Sequence, residues 1–137
     1  MKARRLLTAW LASACLMAAG QSQAHDNGPG VDFIQPKNGD TVAQTFVVKF
    51  AVKGMKIAPA GDMTADTGHH HLLIDVPDVA EGEVIPMNEG HRHFGKGQTE
   101  TEITLPPGRH RLTMQFADGA HRSYGEKMRK SIDVTVK

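Results

Sequence analysis

The sequence is poor in cysteine, in aromatic residues and in long hydrophobic runs. Its 137 residues include a single cysteine, Cys15, and aromatic residues make up 5% of the chain. Cys15 lies in the first 24 residues, which we predict are removed, so the mature chain can form neither a disulfide nor a thiolate metal site. Beyond residue 24 no run is long and apolar enough to cross a membrane. Stability must therefore come from a packed core, and the length allows one domain.

The first 24 residues have the pattern of a cleavable signal peptide. Lys2, Arg4 and Arg5 precede an apolar stretch from residue 6 to about residue 19. Ser22-Gln23-Ala24 then provides the small-x-small pattern that signal peptidase accepts. We therefore predict a signal peptide at 1–24, a flexible lead-in at 25–30 and one periplasmic domain at 31–137.

Lipid attachment at Cys15 is the alternative to a free periplasmic protein. Ala12-Ser13-Ala14-Cys15 faintly resembles a lipobox, but alanine is a poor leading residue and apolar residues continue past the cysteine. A soluble, unanchored mature chain is the preferred interpretation.

The charge of the mature chain gives no argument for nucleic-acid binding. Three of the 16 basic residues lie in the leader, so 13 remain against 15 acidic residues. A protein that binds the phosphate backbone is expected to carry a basic patch.

The mature chain has the pattern of short β-strands, without a sustained helical period. Phe46, Val48, Phe50 and Val52 alternate with more polar residues, as in a half-buried strand. Residues 54–68 and 77–90 are loop-like because they are rich in glycine, proline and small or polar residues. The strand candidates are 31–34, 46–52, 69–76, 99–105, 110–116 and 132–136. This spacing predicts an all-β fold, an immunoglobulin-like antiparallel β-sandwich.

The chain carries eight histidines, and they form two close groups. On a strand, residues two apart share a face, so His69 and His71 point one way and His70 points the other. His91 and His93 form a second His-x-His pair. Imidazole suits zinc, copper, iron and nickel, and two such pairs brought together would make a site of three or four nitrogens.

Three further histidines are weaker candidates for a site. His121 follows the Asp118-Gly119 turn and could close a site at one end of the sandwich. His110 has the parity of the core residues after it, which indicates a strand-start histidine at the rim of the core. His25 would be the mature N-terminus, where its amine and imidazole could chelate copper together.

Carboxylates and thioethers near the histidines could tune a metal site. Asp75, Glu89 and Glu100 could orient ligands or act as a general base. Thioethers favour cuprous copper, but the methionines after residue 24 form no Met-x-Met motif and are mostly explained by packing. They are Met55, Met63, Met87, Met114 and Met128.

Several long blocks of the chain resemble a bacterial family, the domain of unknown function 4399. The resemblance runs from about residue 31 to the end, and it is strongest in 68–75, 91–100 and 105–110. It implies an exported β-rich domain, and it brings no established activity, substrate or catalytic residue. Many relatives have a second histidine beyond the Asp118 turn, where this chain has Ser123-Tyr124, so a site that needs that ligand would be incomplete here.

We therefore predict a periplasmic metal-binding domain, for copper rather than zinc, with a carrier or homeostasis role. The predicted ligands are His69, His71, His91, His93 and His121, ahead of His70, His110 and His25. One alternative is a structural or interaction module whose histidines hydrogen-bond its loops, and another is a small metal-dependent enzyme. The expected partners are a metal ion and another periplasmic protein, without nucleic acid and without a membrane span in the mature chain.

Overall fold

The computed structural model describes residues 28–137, so the predicted signal peptide and His25 lie outside the described part. Over this range the chain forms nine β-strands and a 3-10 turn at Glu126–Met128, and it contains no α-helix. No helix in this range is long and apolar enough to cross a membrane. The strands are β1 Gly30–Gln35, β2 Thr41–Val42, β3 Thr45–Lys53, β4 Lys56–Ile57, β5 Thr67–Ile74, β6 His91–His93, β7 Glu100–Thr104, β8 Gly108–Ala117 and β9 Arg129–Val136.

The strands form two sheets that pack as a sandwich. The smaller sheet is antiparallel and has the order β1-β3-β7. The larger sheet has the order β2-β9-β8-β5-β4, and β6 also pairs with β5. Its main pairs, β5 with β8 and β8 with β9, are antiparallel, whereas the short pairs β2–β9 and β4–β5 are parallel. The predicted antiparallel sandwich is confirmed, with two short parallel pairings as the exceptions.

The core lies between the sheets and follows the alternation that the sequence shows. Phe46, Val48 and Phe50 of β3 are buried, as are Leu112 and Met114 of β8. All five belong to one cluster of buried apolar residues from both sheets. Alternate side chains of a strand point to the same face, so the period of two in the sequence becomes one apolar face on each sheet.

Three short strands differ from the sequence interpretation. β2, β4 and β6 contain only two or three residues, too few for alternation to be visible. β4 falls within the loop expected at 54–68.

β5 starts and ends two residues earlier than the predicted strand at 69–76, because Asp75 adopts a left-handed φ of 55° that ends the strand. β1 begins one residue before the predicted domain boundary.

β5 is buried on both faces, and this places the functional site. Its inner face packs in the sandwich core, where Leu72 is 0% exposed. Its outer face is covered by the segment between β5 and β6, and Leu73 there packs against Val79, Ile85 and Ala117 in a second, smaller apolar cluster. The larger sheet therefore has a covered outer layer, and histidines that face outward from β5 are still withdrawn from solvent.

His110, one of the weaker site candidates, has a structural role at the start of β8. Its Nδ1 donates to the Asp75 carboxylate at 2.6 Å and its Nε2 donates to the Pro106 carbonyl at 2.8 Å. Because both ring nitrogens face acceptors, the arrangement favours the doubly protonated ring. The hydrogen bond to Asp75 is the main cause of a raised pKa for His110.

We expect Asp75→Asn to destabilise the protein by about 1 kcal/mol at low pH and by less at high pH. The raised pKa of His110 means that its stabilising contribution is fully present below the unfolded-state pKa and is lost as pH rises through the folded-state pKa. Asparagine tolerates the left-handed backbone of position 75, so the change removes the charge and keeps the fold. Urea unfolding of both proteins at about pH 5.5 and about pH 8.5 measures this difference. An equal loss of stability at both pH values would show that the pair does not depend on the charge of His110.

Candidate metal centre

Four histidines meet on the outer face of the larger sheet: His69, His71, His93 and His121. His69 and His71 lie two apart on β5 and share this face, as predicted, whereas His70 points into the sandwich core. His93 on β6 lies directly opposite His71, and opposed residues of an antiparallel pair share a face. Backbone pairing therefore positions three of the four rings.

His121 reaches the cluster from the turn that follows β8. The Asp118 carbonyl accepts the His121 N–H at 2.9 Å, and His121 has a left-handed φ of 64°. On one side, the Ile85 N–H donates to the His121 carbonyl at 2.8 Å. On the other side, Gly119 lies so close to the backbone of Asp62 that a Cβ there would overlap it. Two separate loops thus hold the fourth ring in place.

The ring of His93 lies over Gly95. A Cβ at Gly95 would overlap Cε1 and Nε2 of that ring, and it would also press on Ala60. The Gly95 carbonyl accepts the Ala60 N–H at 2.9 Å, which ties this turn to the loop after β4. The absence of a side chain at position 95 is what leaves room for the His93 ring.

The ring nitrogens of the four histidines are close enough to share one ion. One candidate ligand atom from each residue lies within 4.8 Å of the other three. His69 Nε2 is 3.1 Å from His121 Nδ1 and 3.2 Å from His93 Nε2. Two nitrogens bound tetrahedrally at about 2.0–2.1 Å from one ion lie about 3.3 Å apart, so these contacts already have the spacing of ligands.

The arrangement of the four rings is tetrahedral. The six distances between ring centroids run from 4.7 to 5.8 Å. Four imidazoles bound tetrahedrally to one ion would have every pair of centroids about 5.2 Å apart. A square-planar set would have four pairs at about 4.5 Å and two at about 6.4 Å. Five of the six distances run from 4.7 to 5.1 Å, and the sixth, between His71 and His121, is 5.8 Å, midway between the tetrahedral value and the diagonal of a square. The other diagonal of such a square, between His69 and His93, is only 4.9 Å, so the set is a distorted tetrahedron.

Several nitrogens of the cluster are buried and have no hydrogen-bond partner. His69 and His71 are 0% exposed, whereas His93 and His121 are half-buried. Among the described residues, nothing bonds to Nδ1 or Nε2 of His71 or to Nδ1 of His69. An unsatisfied buried polar group costs about 1–3 kcal/mol, and native proteins contain few of them. An ion between the rings would supply a partner for one nitrogen of each histidine, so the residues present fit a metal.

The cluster favours neutral imidazole, the form that binds metals. Burial, and then the proximity of His93 and His121, lowers the pKa of His69 to about 4. Burial, and then the neighbouring histidines, lowers the pKa of His71 to about 2. The pKa of His93 is also lowered, mainly by burial. These three rings need not release a proton to take up an ion at neutral pH.

His91, which the sequence analysis predicted as a ligand, lies outside the group of four. It lies opposite Leu73, two pairs beyond the His93–His71 pair. His91 is therefore about 6.6 Å along the strand from His93, on the side away from His69. Its Nδ1 lies 2.8 Å from the Asn88 side-chain oxygen. The second His-x-His pair therefore contributes one candidate ligand.

The remaining histidine candidates also lie elsewhere. His70 is buried in the sandwich core, with its ring centroid 4.7 Å from that of Phe50 and 5.0 Å from that of Phe116. His110 is held at the start of β8, as described above. His25 lies outside the described residues, so its proposed chelation with the N-terminal amine stays a prediction.

The carboxylate that affects the cluster is one that sequence reasoning treated only as a turn residue. Asp75 bonds His110, Glu100 lies on β7 of the other sheet, and the Glu89 side chain is exposed. Asp118 is close enough to oppose the lowering of the His69 pKa. The signal that could have identified it is its position three residues before His121.

Packing accounts for three of the five methionines. Met114 and Met128 are buried in the sandwich core, and Met55 packs against it. Met63 and Met87 are exposed, at 61% and 65%. The buried methionines thus have the packing role that the sequence indicated.

Comparisons with known proteins support the family and add no activity. Among curated proteins, none matches the chain. Similar solved structures include the endo-beta-1,4-mannanase from Thermotoga petrophila, with 18% identity, a TM-score of 0.47, and coverage of 85% of this chain but only 21% of the mannanase. They also include fibronectin(III)-like modules of Clostridium thermocellum CbhA, with 19% identity, a TM-score of 0.43, and coverage of 78% of this chain and 96% of the other.

The family model matches residues 48–137, a range that contains all four clustered histidines. The resemblance read from the sequence is thereby confirmed. The chain belongs to the family described as the domain of unknown function DUF4399.

Proposed function

We propose that this protein is a periplasmic metal-binding domain that carries or buffers one transition-metal ion, copper ahead of zinc, at the four-histidine centre. The observation that supports this most directly is the tetrahedral convergence of four imidazoles, two of which are completely buried. A periplasmic location rests on the signal-peptide pattern, which lies outside the described residues.

The hydrogen bonding of the cluster favours a metal over a purely structural role. Histidines that hold loops in place are expected to donate to and accept from those loops. Among the described residues, His71 has no such bond, and the ring nitrogens of His69 have hydrogen-bond contacts only with His93 and His121. The loops around the cluster are held instead by backbone hydrogen bonds.

The number of ligands favours a carrier over an enzyme. Catalytic zinc sites usually keep three protein ligands and leave the fourth position to water, whereas closed sites use four. Here four imidazoles are grouped, so an ion between them would have four protein ligands. A closed centre holds or delivers an ion, and it offers no position for a substrate.

The preference for copper over zinc rests on the chemistry of the compartment and of the ligands. The predicted mature chain has no thiol, and its centre offers only imidazole nitrogens, which suit both copper and zinc. Where the geometry leaves the ion free to choose, such nitrogens bind Cu²⁺ more tightly than Zn²⁺. Zinc accepts the same nitrogens in the same tetrahedral geometry, so the metal needs a direct measurement.

The test is the metal content of the untagged mature protein purified from the periplasm, followed by titration with Zn²⁺ and, under anaerobic conditions, with Cu⁺. We expect about one equivalent of tightly bound ion per chain, in line with a single four-ligand site. Metal-free protein that binds neither ion above background would overturn the proposal and favour the structural or interaction module.

We expect Gly95→Ala to weaken metal binding by about tenfold or more, while the fold is retained. The new methyl group overlaps the His93 ring, so that ring must leave its position over residue 95. Gly30→Ala in β1 is the matched control, because a Cβ there meets only the Lys127 carbonyl oxygen, at 3.9 Å. Titration of both variants measures the difference, and equal affinities would contradict the assignment of His93 as a ligand.

A further inference from the structure

We propose that the four-histidine centre binds copper as Cu(I) in preference to Cu(II). The inference rests on the proposed function and extends it to the charge and oxidation state of the ion. It is carried by two properties of the cluster, the tetrahedral placement of the rings and the absence of an anionic ligand among the grouped residues.

The geometry disfavours Cu(II). Cu(II) with nitrogen ligands prefers square-planar or tetragonal coordination, whereas ions with a filled d shell accept a tetrahedron. To make a square, two pairs of rings would have to move apart to a centroid distance of about 6.4 Å. The largest distance here is 5.8 Å, between His71 and His121, and the ring pair that would form the other diagonal, His69 and His93, is at 4.9 Å.

The backbone around the cluster opposes such flattening. β5 is paired on both sides and buried along its whole length, so His69 and His71 cannot separate without breaking the sheet. The turn that carries His121 is held between Ile85 and the backbone of Asp62. A site that is fixed before binding imposes its geometry on the ion, and an ion with another preference binds less tightly.

The charge of the site favours a monovalent ion over a divalent one. Four neutral imidazoles leave the full charge of the ion uncompensated, and the cost of burying a charge grows with its square. Asp118 is the carboxylate that acts on His69, but its Oδ1 already accepts the N–H groups of Ala120 and Arg122, each at 2.9 Å. These hydrogen bonds within its own turn already offset part of the negative charge of Asp118. Geometry and charge therefore act in the same direction, towards Cu(I) and away from Cu(II).

The test compares the dissociation constants of Cu⁺, Cu²⁺ and Zn²⁺ for the same protein, each by competition with a chelator of known affinity. Cu⁺ is measured under anaerobic conditions with a reductant present. We expect Cu⁺ to bind at least about tenfold more tightly than Cu²⁺, and a tenfold ratio would place the reduction potential of the bound copper about 59 mV above that of the aqueous couple. The site is identified by loss of binding in His71→Leu and by its retention in His70→Leu.

The outcomes separate this inference from the proposed function. Binding of Cu²⁺ as tightly as Cu⁺, at a site that is lost in His71→Leu, would overturn the inference and leave the metal-binding function in place. Failure of the wild-type protein to bind any of the three ions would overturn both the inference and the proposed function.

Asp118→Asn separately tests the argument that the charge of the site favours a monovalent ion. Asparagine keeps a side-chain oxygen for the N–H groups of Ala120 and Arg122 and removes the negative charge. We expect the affinity for Cu²⁺ to fall more than the affinity for Cu⁺, so the ratio of the two dissociation constants grows. An unchanged or smaller ratio would contradict the charge argument.

Discussion

His71→Leu is expected to lower the affinity for Cu⁺ and Zn²⁺ by more than about 100-fold, because it removes one of four ligands. The variant should fold, since leucine fills the space of a side chain that has no hydrogen bond among the described residues. Loss of an unsatisfied buried nitrogen should make the metal-free variant at least as stable as the wild-type protein. Anaerobic titration and urea unfolding of the same samples measure both effects.

His70→Leu is the matched control for this change. The two histidines are neighbours on β5, both are 0% exposed, and within residues 28–137 neither ring nitrogen of either has a hydrogen-bond partner. They differ in the face they occupy, because His70 lies between Phe50 and Phe116 in the sandwich core. Binding should be unchanged in His70→Leu, and equal losses in both variants would show that the effect comes from the fold and not from a ligand.

Metal binding is expected to raise the stability of the protein strongly. At a free ion concentration about 1,000 times the dissociation constant, binding to the folded state alone stabilises it by about 4 kcal/mol. For a domain of this size that corresponds to a rise of roughly 15 °C or more in Tm. Thermal unfolding with Zn²⁺, then with an excess of chelator, measures the rise and its reversal.

The same experiment distinguishes the centre from weak surface binding. His71→Leu should show no rise in Tm with the ion, whereas His91→Ala should show the full rise because His91 bonds Asn88 outside the cluster. A rise that persists in His71→Leu, or that disappears in His91→Ala, would contradict the ligand set that the structure brings together.

The sequence was sufficient to predict half of the centre. A strand through 69–76 predicts that His69 and His71 share a face and that His70 faces the other way, and the structure confirms this placement. The prediction holds because alternation is a local property of any strand.

The choice between His91 and His93 could not be made from the sequence. Both belong to a three-residue strand and share a face, and only the pairing of β6 with β5 decides which ring meets His71. Register depends on contacts between distant segments, so it is not encoded within the three residues themselves.

The position of His121 depends on tertiary structure in another way. The Asp118-Gly119 pair predicts a turn, but the turn points at the cluster because Ile85 and Asp62 hold it from two sides. The alternation of apolar and polar residues also could not predict that loops cover the outer face of the larger sheet. Thr113 and Gln115 of β8 are polar, as expected of an exposed face, and yet they are buried. Such burial by loops follows from the fold as a whole.

The most direct test of the account is anomalous diffraction from crystals of the protein loaded with Zn²⁺ or, under anaerobic conditions, with Cu⁺. The account predicts one ion with four nitrogen ligands at about 2.0–2.1 Å, one each from His69, His71, His93 and His121. An ion bound through His91, or through only two of the four clustered histidines, would contradict it.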